Sequence, residues 1–255
     1  MPAPHNRFKA ALLRRDLQIG CWLALANGYT AEAMAGAGFD WLVIDGEHAP
    51  NDLPRLLEQV QALKGGTADP VIRIPIGETW MIKQVLDIGC QSVLVPMVES
   101  GDQAHELARA MRYPPHGIRG VGSALARASG FGAVTDYLPS ANDQVCLLVQ
   151  VESRRGLEAI EDIAAVDGVD GIFIGPSDLA ADMGHLGKPS HPEVKAAVED
   201  AIARIVAAGK PAGVLSFDRT MLESYIARGV SFAAVGADVT LLTQAARALA
   251  ASFRA

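Results

Sequence analysis

Eight short apolar runs divide the chain, each of strand length and each followed by residues with helical spacing. They are IGCWLAL from Ile19, WLVID from Trp41, PVIRIP from Pro70, QSVLVPMV from Gln91, CLLVQVE from Cys146, VDGIFIG from Val169, PAGVLSF from Pro211 and SFAAVGA from Ser231. Near-continuous apolar runs predict strands buried on both faces, and their alternation with helices predicts consecutive βα units. Helix starts are marked by capping residues. Thr30 is the expected N-cap for AEAMAGAG, Asn51 or Asp52 for the segment through Lys64, and Ser100 for the helix through Met111. His191-Pro192-Glu193 opens a long segment ending at Ala208-Gly209, and MPAPHNRFKAALLRRD predicts a short amphipathic first helix. Glycines in AGAGFD, DIGCQS, VDGVDG, AAGKPAG and ARGVSF end helices ahead of the next strand.

Eight βα units imply a single (β/α)8 TIM barrel spanning residues 1–255, with an N-terminal helix and a C-terminal helix. The length suits that fold, which takes ~250 residues. A doubly wound sheet would need a phosphate-binding fingerprint after the first strand, and no G-x-G-x-x-G follows Ile19–Leu25. Two connections are long, Arg112 to Val145 and Pro176 to Pro192, and length predicts both for the catalytic face.

Composition narrows the function. Half the residues are hydrophobic, and 22 Lys+Arg against 29 Asp+Glu give a net charge of −7, which argues against a nucleic-acid or anionic-membrane partner. No apolar run approaches the ~20 residues of a membrane span, and the N-terminus lacks a signal peptide's apolar stretch. Cys21, Cys90 and Cys146 each begin an apolar run, as expected of buried free thiols in a reducing cytoplasm.

The polar residues that interrupt this pattern fall at the strand ends. Trp41, Val43 and Asp45 share one strand face, with His48 just beyond; Val71 and Arg73 share another, and Gln150 and Glu152 a third. Asp178 follows the sixth run in Gly-Pro-Ser-Asp, and Glu99 follows the fourth. Unpaired charge in apolar strands is costly, so single residues here read equally well as structural ion pairs, Arg73 with Glu152 for example. The collection as a whole points to an active site. Glu152 and Asp178 suit a hard divalent cation, Mg²⁺ or Mn²⁺. Arg73 offers forked donors to a carboxylate, keto oxygen or enolate, and Asp45 is placed to fix the tautomer of His48 as a general base or acid. The six lysines, Lys9, Lys64, Lys83, Lys188, Lys195 and Lys210, all lie away from the strand C-termini. Schiff-base chemistry therefore lacks its nucleophile, and carbon–carbon chemistry would need a metal-stabilised enolate.

Val43–His48 (VIDGEH), Arg73–Pro75 (RIP), Val95–Val98 (VPMV), Arg119–Gly122 (RGVG), Val149–Ser153 (VQVES) and Gly175–Leu179 (GPSDL) together resemble the HpcH/HpaI aldolase family. Within it the chain is most similar to the 4-hydroxy-2-oxoheptane-1,7-dioate and 2-keto-3-deoxy-sugar-acid aldolase group. The resemblance implies a class II pyruvate aldolase that cleaves 4-hydroxy-2-oxo acids reversibly to pyruvate, or a related 2-keto acid, and an aldehyde. It implies Glu152 and Asp178 as ligands to Mg²⁺ or Mn²⁺, with Co²⁺ a further option, and Arg73 on the pyruvyl oxygen. Asp45 and His48 are implied in proton transfer. Gln150 and the Pro176-Ser177 backbone are expected near the pyruvyl group, with Trp22 and Leu215 lining the pocket. Asp87 is expected to reach a neighbour's site in a homohexamer with exchanged C-terminal helices. The aldehyde is expected to be selected around Arg119–Arg127 and Pro176–Pro189. Two alternatives are a CoA-ester lyase of the malyl or citryl type and a non-catalytic metal-binding barrel; metal-dependent pyruvate release without CoA separates them from the aldolase.

Overall fold

The computed structural model describes residues 1–254. Its strands are β1 (Gln18–Leu23), β2 (Trp41–Asp45), β3 (Asp69–Arg73), β4 (Ser92–Val95), β5 (Cys146–Val151), β6 (Val169–Ile174), β7 (Ala212–Leu215) and β8 (Val230–Ala237). All are parallel and pair in chain order, and β8 returns to β1 with Gln18 opposite Phe232, so the sheet closes into a barrel. The helices that follow are α1 (Arg7–Arg14), α2 (Gly28–Ala35), α3 (Leu53–Leu63), α4 (Thr79–Asp87), α5 (Gly101–Met111), α6 (Tyr137–Gln144), α7 (Arg154–Glu158), α8 (Ile160–Ala165), α9 (Pro176–Asp182), α10 (Pro192–Ala207), α11 (Arg219–Ala227) and α12 (Asp238–Ser252). The expected (β/α)8 barrel is thus the fold.

Alternation along the strands separates two cores. Outward residues such as Leu42, Ile44, Ile72, Val93, Val149 and Ile172 pack against the helices. Inward residues Trp22, Trp41, Val43, Val71, Leu94, Leu148, Phe173 and Phe232 fill the barrel. A Cβ on Gly213 would stand 2.2 Å from the Phe232 ring, so glycine is required where that ring crosses the barrel. Amphipathic α1 lays Phe8 and Leu12 into the same interior cluster, with Phe8 5.4 Å from Trp41, the first residue of β2. The N-terminal end of the barrel is therefore plugged, and the open end is where the strands finish.

Asp52 caps α3, Ser100 caps α5 and His191 caps α10, as expected. Thr30 does not cap α2. Asn27 does, its Oδ1 accepting from the amides of Tyr29 (2.9 Å) and Thr30 (3.2 Å), because an equally good cap stands three residues earlier. The fourth strand is shorter than its apolar run, since the backbone leaves it after Val95 and turns at Met97 (φ 53°). The long connection from Arg112 to Val145 also departs from expectation. It follows a helix and precedes a strand, so it lies at the plugged end, where Arg127 donates to the Ile88 carbonyl and Asn6 bonds Gln144. The Pro176–Pro192 connection does lie at the open end. Cys21, Cys90 and Cys146 are free and buried; burial pushes the Cys21 and Cys90 thiols up to about 12. No helix among the described residues is long and apolar enough to cross a membrane.

Candidate active site

A cavity of about 410 Å³ opens at the C-terminal ends of the strands. Trp22 of β1, Arg73 of β3, Gln150 of β5 and Leu215 of β7 reach it, along with His48, Pro176, Ser177 and Asp178 from the connections. Eight of the sequence-derived site residues therefore share one wall. Pro189, the end of the segment expected to select the aldehyde, lines the cavity too; Phe173, Ser216, Phe217, Met221 and Ser190 were missed by strand-end reasoning because most stand on a connection or on the following helix.

Arg73 organises the floor. It is buried and lies directly across from Asp45 in the β2–β3 register. Its Nε and Nη2 donate to the two Asp45 oxygens at 2.9 and 2.8 Å, and its Nη1 stands 2.9 Å from Glu47 Oε2. Its guanidinium carbon sits 5.5 Å from the centre of the Trp22 ring. The partner of Arg73 is thus the DGEH turn and not Glu152. Asp45 Oδ1 additionally accepts from the backbone amides of Glu47 (3.0 Å) and His48 (3.3 Å). The expectation that Asp45 holds the His48 ring is not met, because a buried guanidinium across the strand register outcompetes an exposed imidazole for that carboxylate. The His48 side chain is 66% exposed, and its Nε2 is 3.9 Å from Glu47 Oε1. Glu47 was missed by sequence reasoning, although it stands inside the same D-G-E-H motif.

Glu152 follows β5 and is buried. Its Oε1 accepts from the Met97 amide at 2.9 Å, and its Oε2 from the Gln150 side-chain amide. Burial, reinforced by the charges of Asp178 and Glu47, lifts its carboxyl to about 7, while those two donors pull the other way. Burial likewise raises Glu47, with Arg73 opposing. Gly175 passes so close that a Cβ there would lie 2.2 Å from Glu152 Oε2, so only glycine leaves room for this carboxylate. Asp178, in the first turn of α9, faces the same cavity. Asp45 and Glu47 thus hold the guanidinium, and Glu152 and Asp178 stand close enough to Glu47 for their charges to act on one another. An excess of hard carboxylate oxygens fits a divalent cation held by Glu152 and Asp178.

Two further acidic residues lie outside this cavity. Glu99 accepts from Ser153 Oγ at 2.7 Å and does not line the cavity. Asp87 ends α4 at the plugged end, paired at 2.7 Å with the buried Arg119. The Arg119–Arg127 segment also lies there, outside the cavity of its own chain. Among the described residues no lysine lines the cavity; Lys9 pairs with Asp170 and Lys210 donates to the Val169 carbonyl.

Residues 18–245 match the family model for HpcH/HpaI aldolase/citrate lyase. The chain belongs to this family. It is accordingly a carbon–carbon lyase of the aldolase kind, in a family that generally depends on a divalent metal. It is 61% identical over 249 residues to the hydroxypyruvate/pyruvate aldolase of Deinococcus radiodurans, covering 98% of this chain and 90% of that one. To the 4-hydroxy-2-oxo-heptane-1,7-dioate aldolase of Escherichia coli it is 54% identical over 250 residues, covering 98% and 95%. The crystal structure of an HpcH/HpaI aldolase/citrate lyase family protein from Burkholderia cenocepacia superposes with a TM-score of 0.94 at 40% identity, covering 98% of this chain and all of that one. The aldolase resemblance read from the motifs is therefore correct.

Proposed function

We propose that this aldolase cleaves 4-hydroxy-2-oxo acids reversibly to pyruvate, or hydroxypyruvate, and an aldehyde, using a divalent cation held by Glu152 and Asp178. The observation that carries the reading is the cavity floor, where Arg73 is fixed by Asp45 and Glu47 beside Asp178, and no lysine among the described residues lines the cavity. Relatives named for pyruvate, hydroxypyruvate and a 4-hydroxy-2-oxo diacid support the substrate class. When bound, the cation, Mg²⁺ or Mn²⁺ with Co²⁺ as a third option, polarises the keto group as a Lewis acid.

The chain's own residues do the rest. Arg73, fixed by Asp45 and Glu47, presents its positive charge to the pyruvyl oxygen. Gln150 and the Pro176-Ser177 backbone bound the pyruvyl end, and Trp22 and Leu215 exclude water from it. In cleavage, His48 takes the C4 hydroxyl proton. The C3–C4 electron pair then moves to the keto-acid fragment, C4 leaves as the aldehyde carbonyl, and Arg73 stabilises the enolate oxygen. Protonation at C3 gives the 2-keto acid. Asp45 serves this proton transfer by holding the turn that carries His48. Oligomerisation belongs to the same reading: a cytoplasmic homohexamer in which C-terminal helices exchange and Asp87 borders a neighbour's site. The apolar residues exposed along α12 support it.

The deciding experiment follows pyruvate release from a 4-hydroxy-2-oxo acid without CoA. EDTA should abolish turnover, Mg²⁺ or Mn²⁺ should restore it, and borohydride with pyruvate should trap no adduct. Full turnover in EDTA with a borohydride-trapped lysine overturns the proposal.

A further inference from the structure

The connection from α9 and the first turn of α10 carry a second group of metal-ligating side chains, unconnected with Glu152 and Asp178. His185, His191 and Glu193 each offer one ligand atom, and these atoms lie within 4.8 Å of one another. His185 Nε2 is 2.9 Å from Glu193 Oε2. The two imidazoles stack, with ring centres 3.6 Å apart and planes 16° from parallel. The backbone holds this arrangement in place. The His185 amide donates to the Ala180 carbonyl (2.7 Å), the Lys188 amide to the His185 carbonyl (2.9 Å) and the His191 amide to the Lys188 carbonyl (3.0 Å). His191 also begins α10, its Nδ1 accepting a long 3.3 Å bond from the Glu193 amide.

We propose that His185, His191 and Glu193 form a binding site for a borderline transition-metal cation, Zn²⁺ foremost, distinct from the hard-cation site on the cavity floor. Two imidazoles and one carboxylate leave an open coordination position, a donor set that zinc accepts and Mg²⁺ does not favour. Parallel rings cannot both aim a lone pair at one point, so binding requires each ring to turn about its χ2 and open the stack. The His185–Glu193 contact already holds two of the three ligands together. Charges nearby oppose the cation modestly: Arg154 acts on Glu193, and Lys188 lies in the same turn. Pro189 and Ser190, between the two histidines, line the catalytic cavity, although the three ligands do not. A cation here would therefore pin one side of the cavity mouth to the start of α10.

The test titrates Zn²⁺ by calorimetry into full-length protein carrying Glu152→Gln and Asp178→Asn, which removes the carboxylate site. The expected result is one Zn²⁺ per chain. His185→Phe preserves a stacked ring, and His191→Asn preserves a good helix cap. Either change should weaken Zn²⁺ on the order of tenfold or more, as the loss of one of three ligands requires. No Zn²⁺ uptake, or uptake unaffected by both changes, overturns the proposal. Should the carboxylate variant not fold, the wild-type chain and its His185→Phe variant are compared directly. One of the wild type's Zn²⁺ binding events should weaken about tenfold or more in the variant, and an unchanged isotherm overturns the site.

Discussion

Both oxygens of Asp45 are taken by Arg73, and one also by the turn's amides, so this carboxylate supports the turn that carries His48 but does not contact its exposed ring. His48→Ala should therefore leave stability and metal affinity near wild type while lowering kcat by ~10²–10⁴-fold, the usual loss on removing a general base. Elemental analysis beside steady-state kinetics checks this; a metal-free variant would make His48 a ligand instead. Glu152 behaves differently. Its carboxyl, held at about 7 against an ordinary 4.5, keeps a proton that a cation must displace. Divalent-metal affinity should rise with pH up to about 7 and level off above it. In the metal-free chain the folded state binds a proton that the unfolded state has already lost between about 4.5 and about 7. Stability should fall as pH rises through that window, and Glu152→Gln should remove this part of the slope in thermal melts.

At the scale of elements, the barrel was readable because strands buried on both faces leave uninterrupted apolar runs, and polar residues at their ends stand out against them. Asp45, Arg73, Gln150 and Glu152 were found this way. Turns defeat the same reasoning. Once the chain leaves β2, alternation no longer gives a side chain's direction, so the return of Glu47 onto Arg73 was hidden inside a motif whose other residues were assigned. Asn27 and Thr30 are competing caps three residues apart, both of favoured N-cap types, so residue type alone does not decide between them. The Arg112–Val145 connection was misplaced by judging length and ignoring which element it follows. Gly213 shows the opposite limit, since sequence marks the glycine but not the ring it accommodates. Gly213→Ala should drive a methyl into Phe232 and cost about 1–3 kcal/mol, as overpacking of a filled core does. Urea denaturation measures it, and an unchanged midpoint would show that the ring can move aside.

For the whole molecule, α12 is the least settled part of a lone chain. Leu241, Leu242, Leu249 and Phe253 are 48%, 59%, 64% and 85% exposed, while Asp238 at its start ties it to β1 through the Ala24 and Leu25 amides. A helix anchored at one end and apolar along its length calls for cover from another copy. Light scattering at micromolar concentration should give a homo-oligomer of hexamer mass, and Leu242→Glu with Leu249→Glu should shift it to smaller species. The plug formed by Phe8 and Leu12 has a consequence for traffic. With one end of the barrel stoppered, both fragments of a cleaved substrate share one doorway. On the proposed function, the keto-acid fragment sits against buried Arg73, behind the fragment nearer the exposed Phe217. The aldehyde must then depart first and the keto acid last, and in the synthetic direction the keto acid must enter before its partner: a compulsory queue imposed by a helix that touches neither molecule.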